Sequence, residues 1–290
     1  PNVGHFANDR SLKPAEIEAI SQWADAGAPE GNPKDAPVAM KWPADGWQIQ
    51  PDVVVDGQDF KVPASTKANV IEWTYFTVPS GLKEDTWVTS MEIRPSAIDV
   101  THHICVYFKP HTPDTEYYKL VWADKPRDEK GLVGTKDAGT HGRGLPDNLL
   151  KGATGPEGCY VPGQFAQDYR QFQAAKLIKA GTDIIFQLHY TPTGKEVVDH
   201  PRLGFTVAKS APQRTYLTLG TSSPSDPKSF AIPPNAPNWE SPPMEAEFLA
   251  DVDLVAMFPH MHLRGKDMTY TLTYPDGRVA VSYTHLRAHE

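Results

Sequence analysis

The chain has 290 residues, of which 39% are hydrophobic, enough for about two domains with a packed core. Its formal net charge of −8 and its pI of about 5.8 argue against a nucleic-acid partner. No apolar run approaches the ~20 residues that a membrane-spanning helix needs. The 28 prolines, set among short β-branched and aromatic runs, predict strands joined by ordered loops.

A helix is predicted near the start of the chain, over residues 14–26. Pro14 suits the first helical position, and Gly27 is a natural stop. Apolar residues recur on one face of this segment at helical spacing. One interpretation is an ordinary helix docked on the rest of the protein. This apolar stripe consists of Ile17, Ile20, Trp23 and Ala24.

Strands are predicted after a segment rich in Pro, Gly and Asp, residues 32–51, which we interpret as a linker. Residues 110–173 have few periodic runs and predict long loops, and the proline-rich residues 222–243 predict an irregular crossing segment. A second β-unit is expected to begin near Arg214. The predicted strands are residues 70–78, 86–94, 100–108, 181–191 and 251–258, followed by a hairpin of residues 268–274 and 278–281.

Alternation within residues 181–191 predicts which face of that strand is buried. Ile184, Phe186, Leu188 and Tyr190 fall on one face, the better candidate for the core. His189 is therefore expected on the opposite face, where it can line a site.

Five histidines in three short strings carry the clearest chemical signal. His102 and His103 are adjacent, His189 precedes a tyrosine, and His260 and His262 are two residues apart. Imidazole is the commonest protein ligand for copper and zinc, and it binds as the neutral ring. Positions i and i+2 of a strand share a face, so the last pair can bind one ion. The adjacent pair can do so only if the backbone twists or bulges.

The two cysteines, Cys105 and Cys159, leave two interpretations open: one disulfide, or two buried free thiols. Cys105 also lies two residues after His103, close enough in sequence to neighbour a metal. This third interpretation carries less weight, because a thiolate beside a redox copper is easily oxidised.

The three histidine strings, in this order, resemble those of the copper type II, ascorbate-dependent monooxygenases. That family includes peptidylglycine α-hydroxylating monooxygenase and dopamine β-monooxygenase. The resemblance covers residues 50–280, and the Pro-His-Met-His-Leu-Arg-Gly string is most similar to bacterial members. It implies an enzyme that hydroxylates an aliphatic C–H bond of a small-molecule or peptide-like substrate with oxygen and two electrons.

The resemblance also implies two copper ions in a complete enzyme. His102, His103 and His189 match the ligands of the copper that relays electrons. His260 and His262 match two ligands of the second, catalytic copper, where oxygen is activated. The family's third ligand there is a methionine well downstream of this pair. We expect the second site to be incomplete in this chain, which ends at Glu290 and is therefore expected to be inactive.

The expected fold class is all-β, with two antiparallel jelly-roll-like β-sandwich domains, the second incomplete, preceded by a short helical segment. The string from Trp23 to Gly31 is similar to the ends of c-type cytochrome domains fused to bacterial copper monooxygenases. Haem is expected only in a domain further upstream, because Cys-x-x-Cys-His is absent. The predicted organisation is a cytochrome-like tail (1–31), a linker (32–51), the first sandwich (52–212), the partial second sandwich (213–281) and a non-native tail (282–290).

The resemblance implies ascorbate or a cytochrome as electron donor and a periplasmic or extracellular location. Two alternatives remain open. One is a copper-binding or electron-transfer β-sandwich module without oxygenase activity, and the other is a structural sandwich whose histidines bind zinc or nothing. Gln187 and Arg264 are candidates for partners of metal-bound histidines, and Tyr190 for a core or supporting residue. Histidines interpreted as solvated or non-functional are His5, His111, His141, His200, His285 and His289.

Overall fold

The computed structural model describes residues 11–38, 46–66, 71–122, 155–164, 166–220, 231–245, 247–261 and 265–285. The chain divides into two compact units. One spans residues 42–253, and the other combines residues 1–41 with residues 254–290. The larger unit contains two sheets and a short two-stranded ribbon. Sequence patterns and elementary packing explain how this larger unit positions three of the five histidines.

The first sheet of the larger unit has five antiparallel strands in the order β6-β3-β10-β5-β7. Its central strand, β10, is buried along most of its length. The strands are β3 (Ile71–Pro79), β5 (Thr101–Lys109), β6 (Val121–Trp122), β7 (Gly158–Tyr160) and β10 (Asp183–Tyr190).

The second sheet has the order β1-β12-β4-β9-β13, and β8 also pairs with β4. Its pairs are antiparallel except β13 with β9, which is parallel. Strands β2 and β11 form the separate ribbon. The bounds are β1 (Val53–Asp56), β2 (Phe60–Val62), β4 (Thr86–Arg94), β8 (Gln167–Asp168), β9 (Ala174–Ile178), β11 (Val197–Asp199), β12 (Arg202–Val207) and β13 (Arg214–Thr215).

A single hydrophobic core lies between the two sheets. Side chains from both sheets belong to one buried cluster, and Phe108 of β5 meets Phe205 of β12 edge to face with ring centroids 6.2 Å apart. Ile184, Phe186, Leu188 and Tyr190 of β10 all belong to this cluster, as their alternation predicts. The expected all-β sandwich with a short helix is thereby confirmed.

Four predicted strands of the larger unit are confirmed, and several short strands were not predicted. β4 has the predicted bounds, and β3, β5 and β10 each lie within two residues of theirs. Short strands such as β1 and β2 were not predicted, because three or four residues show too little alternation. β9 was also not predicted, since the buried Lys176 interrupts its apolar run.

The predicted strand over residues 251–258 is wrong, because the structure shows this segment as irregular. The apolar run that suggested it is exposed, with Leu254 at 53% and Phe258 at 66%. A strand is stable only when a neighbour pairs with its backbone groups, and β-propensity depends on that context. An apolar run alone does not supply such a neighbour.

The smaller unit contains the predicted helix and the predicted hairpin. Helix α1 (Pro14–Asp25) begins with the Lys13 N–H donating to the Glu16 carboxylate at 2.7 Å. It buries none of its residues, and its apolar stripe is about half exposed. The hairpin of β14 (Asp267–Thr273) and β15 (Val279–His285) turns at Gly277, whose φ of +83° suits glycine. Within the described ranges, no helix has the length and apolar character that crossing a membrane requires.

Candidate metal centre

His189 lies near the end of β10, at a point where both neighbouring strands carry one extra residue. Against β5, His189 pairs with His103 but Tyr190 pairs with Thr101, so His102 is the extra residue. Against β3, the pairing also shifts between Leu188 and Tyr190. Such β-bulges bend a strand and re-aim its side chains. The sheet is therefore distorted on both sides of His189.

Two adjacent residues of a regular strand point to opposite faces of the sheet, and the bulge in β5 removes this obstacle for His102 and His103. Ile104, Val106 and Phe108 face the core, and a regular strand would put His102 there with them. The extra residue instead lets His102 turn toward the ring of His103 on the other face. The sequence made a shared site conditional on a bulge, and the structure contains that bulge.

Three imidazole rings converge as a result. The Nδ1 atom of His102 lies 3.2 Å from Nδ1 of His103 and 3.2 Å from Nδ1 of His189. The ring centroids are 4.4–5.2 Å apart. His189 is buried, and the other two are partly buried. We call these three residues the histidine cluster.

The donor chemistry of the histidine cluster fits a transition-metal ion. Two nitrogens held by one ion at about 2.0–2.1 Å in a tetrahedral arrangement lie about 3.3–3.4 Å apart, close to the separations seen here. The lone pair of a neutral imidazole Nδ1 can bind a metal ion as well as accept a hydrogen bond. Within the described part of the chain, no carboxylate joins these ligand atoms. Copper and zinc both suit such a donor set.

A polar row lies next to the histidine cluster on the same face of the sheet. Gln187 pairs in register with Tyr75 of β3 and with Cys105 of β5. Its Nε2 donates to the Tyr75 hydroxyl at 2.8 Å. Burial, and then the neighbouring Tyr75, raise the pKa of Tyr107 to about 12, while a hydrogen bond with Gln187 acts in the opposite direction. Gln187 therefore connects two tyrosines, and its predicted contact with a histidine is not among the bonds described.

Tyr190, the residue after His189, is fixed by a buried carboxylate. Its hydroxyl donates to Asp199 at 2.7 Å, and both residues are fully buried. Asp199 also accepts from the backbone N–H groups of Ser96 and Ala97 at 2.7 and 2.8 Å and from the Ser96 hydroxyl at 3.1 Å. Burial, and then the Asp199 charge, raise the pKa of Tyr190 far above its ordinary range. This network holds the chain immediately beside His189.

Cys105 and Cys159 form a disulfide, which resolves the two interpretations left open by the sequence. They lie directly opposite each other in β5 and β7, with Cα atoms 4.0 Å apart. The bond closes a loop with a sequence separation of 54 residues, so on a chain-entropy model it stabilises the fold by about 4 kcal/mol. No free cysteine remains.

Only His260 of the pair predicted for a second copper lies among the described residues. His260 belongs to the smaller compact unit, where it is exposed in an irregular segment. His262 and Arg264 lie outside the described residues, as do His5, His141 and His289. Met261, the residue after His260, is partly buried in the same segment.

Two histidines predicted as solvated have carboxylate partners. His111 lies 3.2 Å from the buried Asp183, and His200 contacts Asp59 at 2.5 Å and Asp56 at 3.3 Å. Burial lowers the pKa of His200, but the two aspartates outweigh it and the net shift is upward. Both histidine side chains remain about half exposed, and neither belongs to the histidine cluster.

Sequence reasoning missed Tyr75, Tyr107 and Asp199. The tyrosines sit in predicted strands, but only the register shows that they flank Gln187. Asp199 lies in a short ribbon strand and carries no local signal.

Comparisons with known proteins do not identify a family. No family model matches the chain, and no curated protein is significantly similar to it. The assignment of function therefore depends on the site and on the histidine strings.

Proposed function

We propose that this protein is a copper-dependent monooxygenase that hydroxylates an aliphatic C–H bond, with the histidine cluster as its electron-relaying site. The observation that carries the proposal is the convergence of three ring nitrogens on one point at a double bulge. The ordered histidine strings support copper as the metal. The ion would supply one-electron chemistry by cycling between two oxidation states.

Each residue of the cluster has a defined task. His102, His103 and His189 would hold the ion as neutral rings through Nδ1, the atom by which His103 and His189 each approach His102. The bulge in β5 orients the first two, and β10 holds the third against the core through Tyr190 and Asp199. His260 and His262 are proposed as ligands of a second copper and as the catalytic pair.

The reductant is proposed to be ascorbate or a cytochrome, the substrate a small molecule or peptide, and the location periplasmic or extracellular. A disulfide supports that location, because such bonds persist in oxidising compartments.

One observation favours the second candidate, a copper-binding or electron-transfer module. The three residues of the histidine cluster all lie within residues 42–253. Such a module needs only these three ligands.

Metal content tests both candidates. The protein is loaded with copper and zinc together, dialysed and analysed, alongside His189→Ala and the matched control His200→Ala. We expect the wild type and the control to retain copper, and His189→Ala to lose one equivalent. Retention of mostly zinc, or an unchanged copper content in His189→Ala, would contradict the copper site at the histidine cluster.

Reduction and oxygen incorporation then separate the enzyme from the module. The copper-loaded protein is reduced anaerobically with ascorbate, and loss of the Cu(II) paramagnetic signal is recorded. Oxygen labelled with ¹⁸O is then admitted with a panel of small C–H donors and short peptides. A labelled hydroxylated product supports the monooxygenase. Reoxidation without any labelled product supports the module only if the wild type retains a single copper, since an enzyme whose second site lacks its methionine would also give no product.

A further inference from the structure

The disulfide between Cys105 and Cys159 lies beside the histidine cluster on the same face of the sheet. In the ladder of β5 and β10, His103 pairs with His189 and Cys105 pairs with Gln187, with no shift between them. Same-face neighbours in a strand are about 6.7 Å apart along the chain. Cys105 is thus the next side chain of β5 on the face that carries the ligands, and it is 7% exposed.

The two cysteines differ in how far they lie from the histidine cluster. Cys159 pairs with Cys105 but lies on β7, one strand further from β10. It is therefore diagonal to His103, and diagonal cross-strand neighbours are about 7–8 Å apart or more. His260 and His262 were predicted to share one ion from positions i and i+2 of a strand, and His103 and Cys105 occupy such positions in an observed strand.

We propose that reduction of this disulfide converts the three-histidine site into a site of three histidines and one sulfur, with Cys105 as the fourth ligand. The proposal rests on the metal site of the proposed function. While the disulfide is intact, the Cys105 sulfur is bonded to Cys159 and offers no thiolate. Once released, the Cys105 side chain can turn about its χ1 bond toward the cluster, and thiolate is a soft ligand that suits copper and zinc.

A dithiol can serve as the reductant that opens the disulfide. The dithiol gives two electrons and two protons to the protein, the protein S–S bond breaks, and the reagent becomes a disulfide. Cys105 and Cys159 become thiols. When the metal binds, the Cys105 thiol proton passes to solvent.

The consequence is regulatory. A three-ligand site keeps one coordination position open, whereas four protein ligands are characteristic of closed, structural sites. The oxidised protein therefore has an accessible metal, and the reduced protein has an enclosed one. The disulfide persists in an oxidising compartment, so the reduced form is present only where a dithiol reductant reaches the protein.

Cobalt(II) and a matched pair of variants test the proposal. Cys159→Ser leaves Cys105 as a free thiol, and Cys105→Ser leaves Cys159, so both lack the disulfide and each has one thiol. Cobalt(II) chloride is titrated into both variants and into the oxidised wild type, and the sulfur-to-cobalt charge-transfer band is recorded in the near ultraviolet. Circular dichroism checks that each variant is folded, and dithiol-reduced, desalted wild type provides a form without any substitution.

We expect the band to saturate at one cobalt per chain in Cys159→Ser and in reduced wild type, and to be absent from oxidised wild type and Cys105→Ser. Cobalt binding without the band in Cys159→Ser and in reduced wild type would overturn this inference while leaving the three-histidine site intact. A band of equal intensity in both variants would also overturn it, because Cys105 would then have no special position. If oxidised wild type binds no cobalt, the metal site itself is wrong and both proposals fail.

Discussion

Replacing Asp199 by alanine is expected to lower the free energy of unfolding by about 3–5 kcal/mol, because it removes the acceptor of four hydrogen bonds. Tyr190 is fully buried, so its orphaned hydroxyl alone costs about 1–3 kcal/mol. The N–H groups of Ser96 and Ala97 add about 1 kcal/mol each, since Ser96 is exposed and water partly replaces the lost acceptor.

The matched control is Asp199→Asn. Its amide oxygen can accept from the Ser96 and Ala97 N–H groups, and its NH₂ group can donate to the Tyr190 hydroxyl oxygen, whose hydrogen rotates away. The charge assistance is lost and the Tyr190 hydrogen loses its acceptor, but the Tyr190 oxygen gains a donor, so we expect a smaller cost of about 1–2 kcal/mol.

Urea unfolding at neutral pH measures both variants, and copper titration follows the site. Because Tyr190 adjoins His189, the alanine variant should also bind copper about 10-fold more weakly, as when supporting partners of metal ligands are removed. The asparagine variant should bind copper nearly as the wild type does. Equal stabilities for the two variants would refute the view that this network holds the end of β10.

Two further predictions concern packing and ionisation. Gly204→Ala would bring a Cβ atom to 2.8 Å from the Trp47 ring, so it should cost about 1–3 kcal/mol in urea unfolding, whereas Gly31→Ala, which meets nothing within 4 Å, should be neutral. The pKa of Tyr107 is raised from 10.0 to about 12, so the folded protein keeps this proton at a higher pH than the unfolded chain. The stability that this difference in pKa contributes is fully present below pH 10 and is lost as the pH rises through 12. Tyr107→Phe removes the titrating group, so the fall in Tm between pH 10 and pH 12 should be smaller in this variant than in the wild type.

The sandwich was predictable where alternation is long. In β10, four even-numbered apolar residues predict the core face, and the opposite parity places His189 outside it. Eight residues are enough for a period of two to stand out. Strands of two to four residues, such as β6 and β1, carry no such signal and depend on their neighbours.

The sequence predicts the three histidines of the candidate site but not the bulge, the disulfide or the polar row beside them. The pair His102 and His103 made a bulge a condition for sharing one ion, but the sequence could not show that the bulge exists. The pairing of Cys105 with Cys159, and the row that Tyr75 joins, depend on register between distant strands. Long-range register is not encoded in any short window.

The error at residues 251–258 has a different origin. An apolar run was interpreted as a strand because its composition favours one, but half-exposed side chains such as Val252 and Met257 show that no sheet covers them. Composition gives a segment a preference for the strand conformation, but a strand forms only when a neighbouring strand pairs with it.

The bulge at His102 has an evolutionary consequence. If this one residue were deleted, Thr101 and His103 would adjoin, and their existing partners Tyr190 and His189 already adjoin, so the ladder of β5 and β10 would run without interruption. The shortened chain would keep its core contacts and retain only two facing histidines. A single inserted codon thus separates an ordinary antiparallel sheet from a cluster of three histidines. A lineage could gain or lose this cluster at that codon without rebuilding the hydrophobic interior.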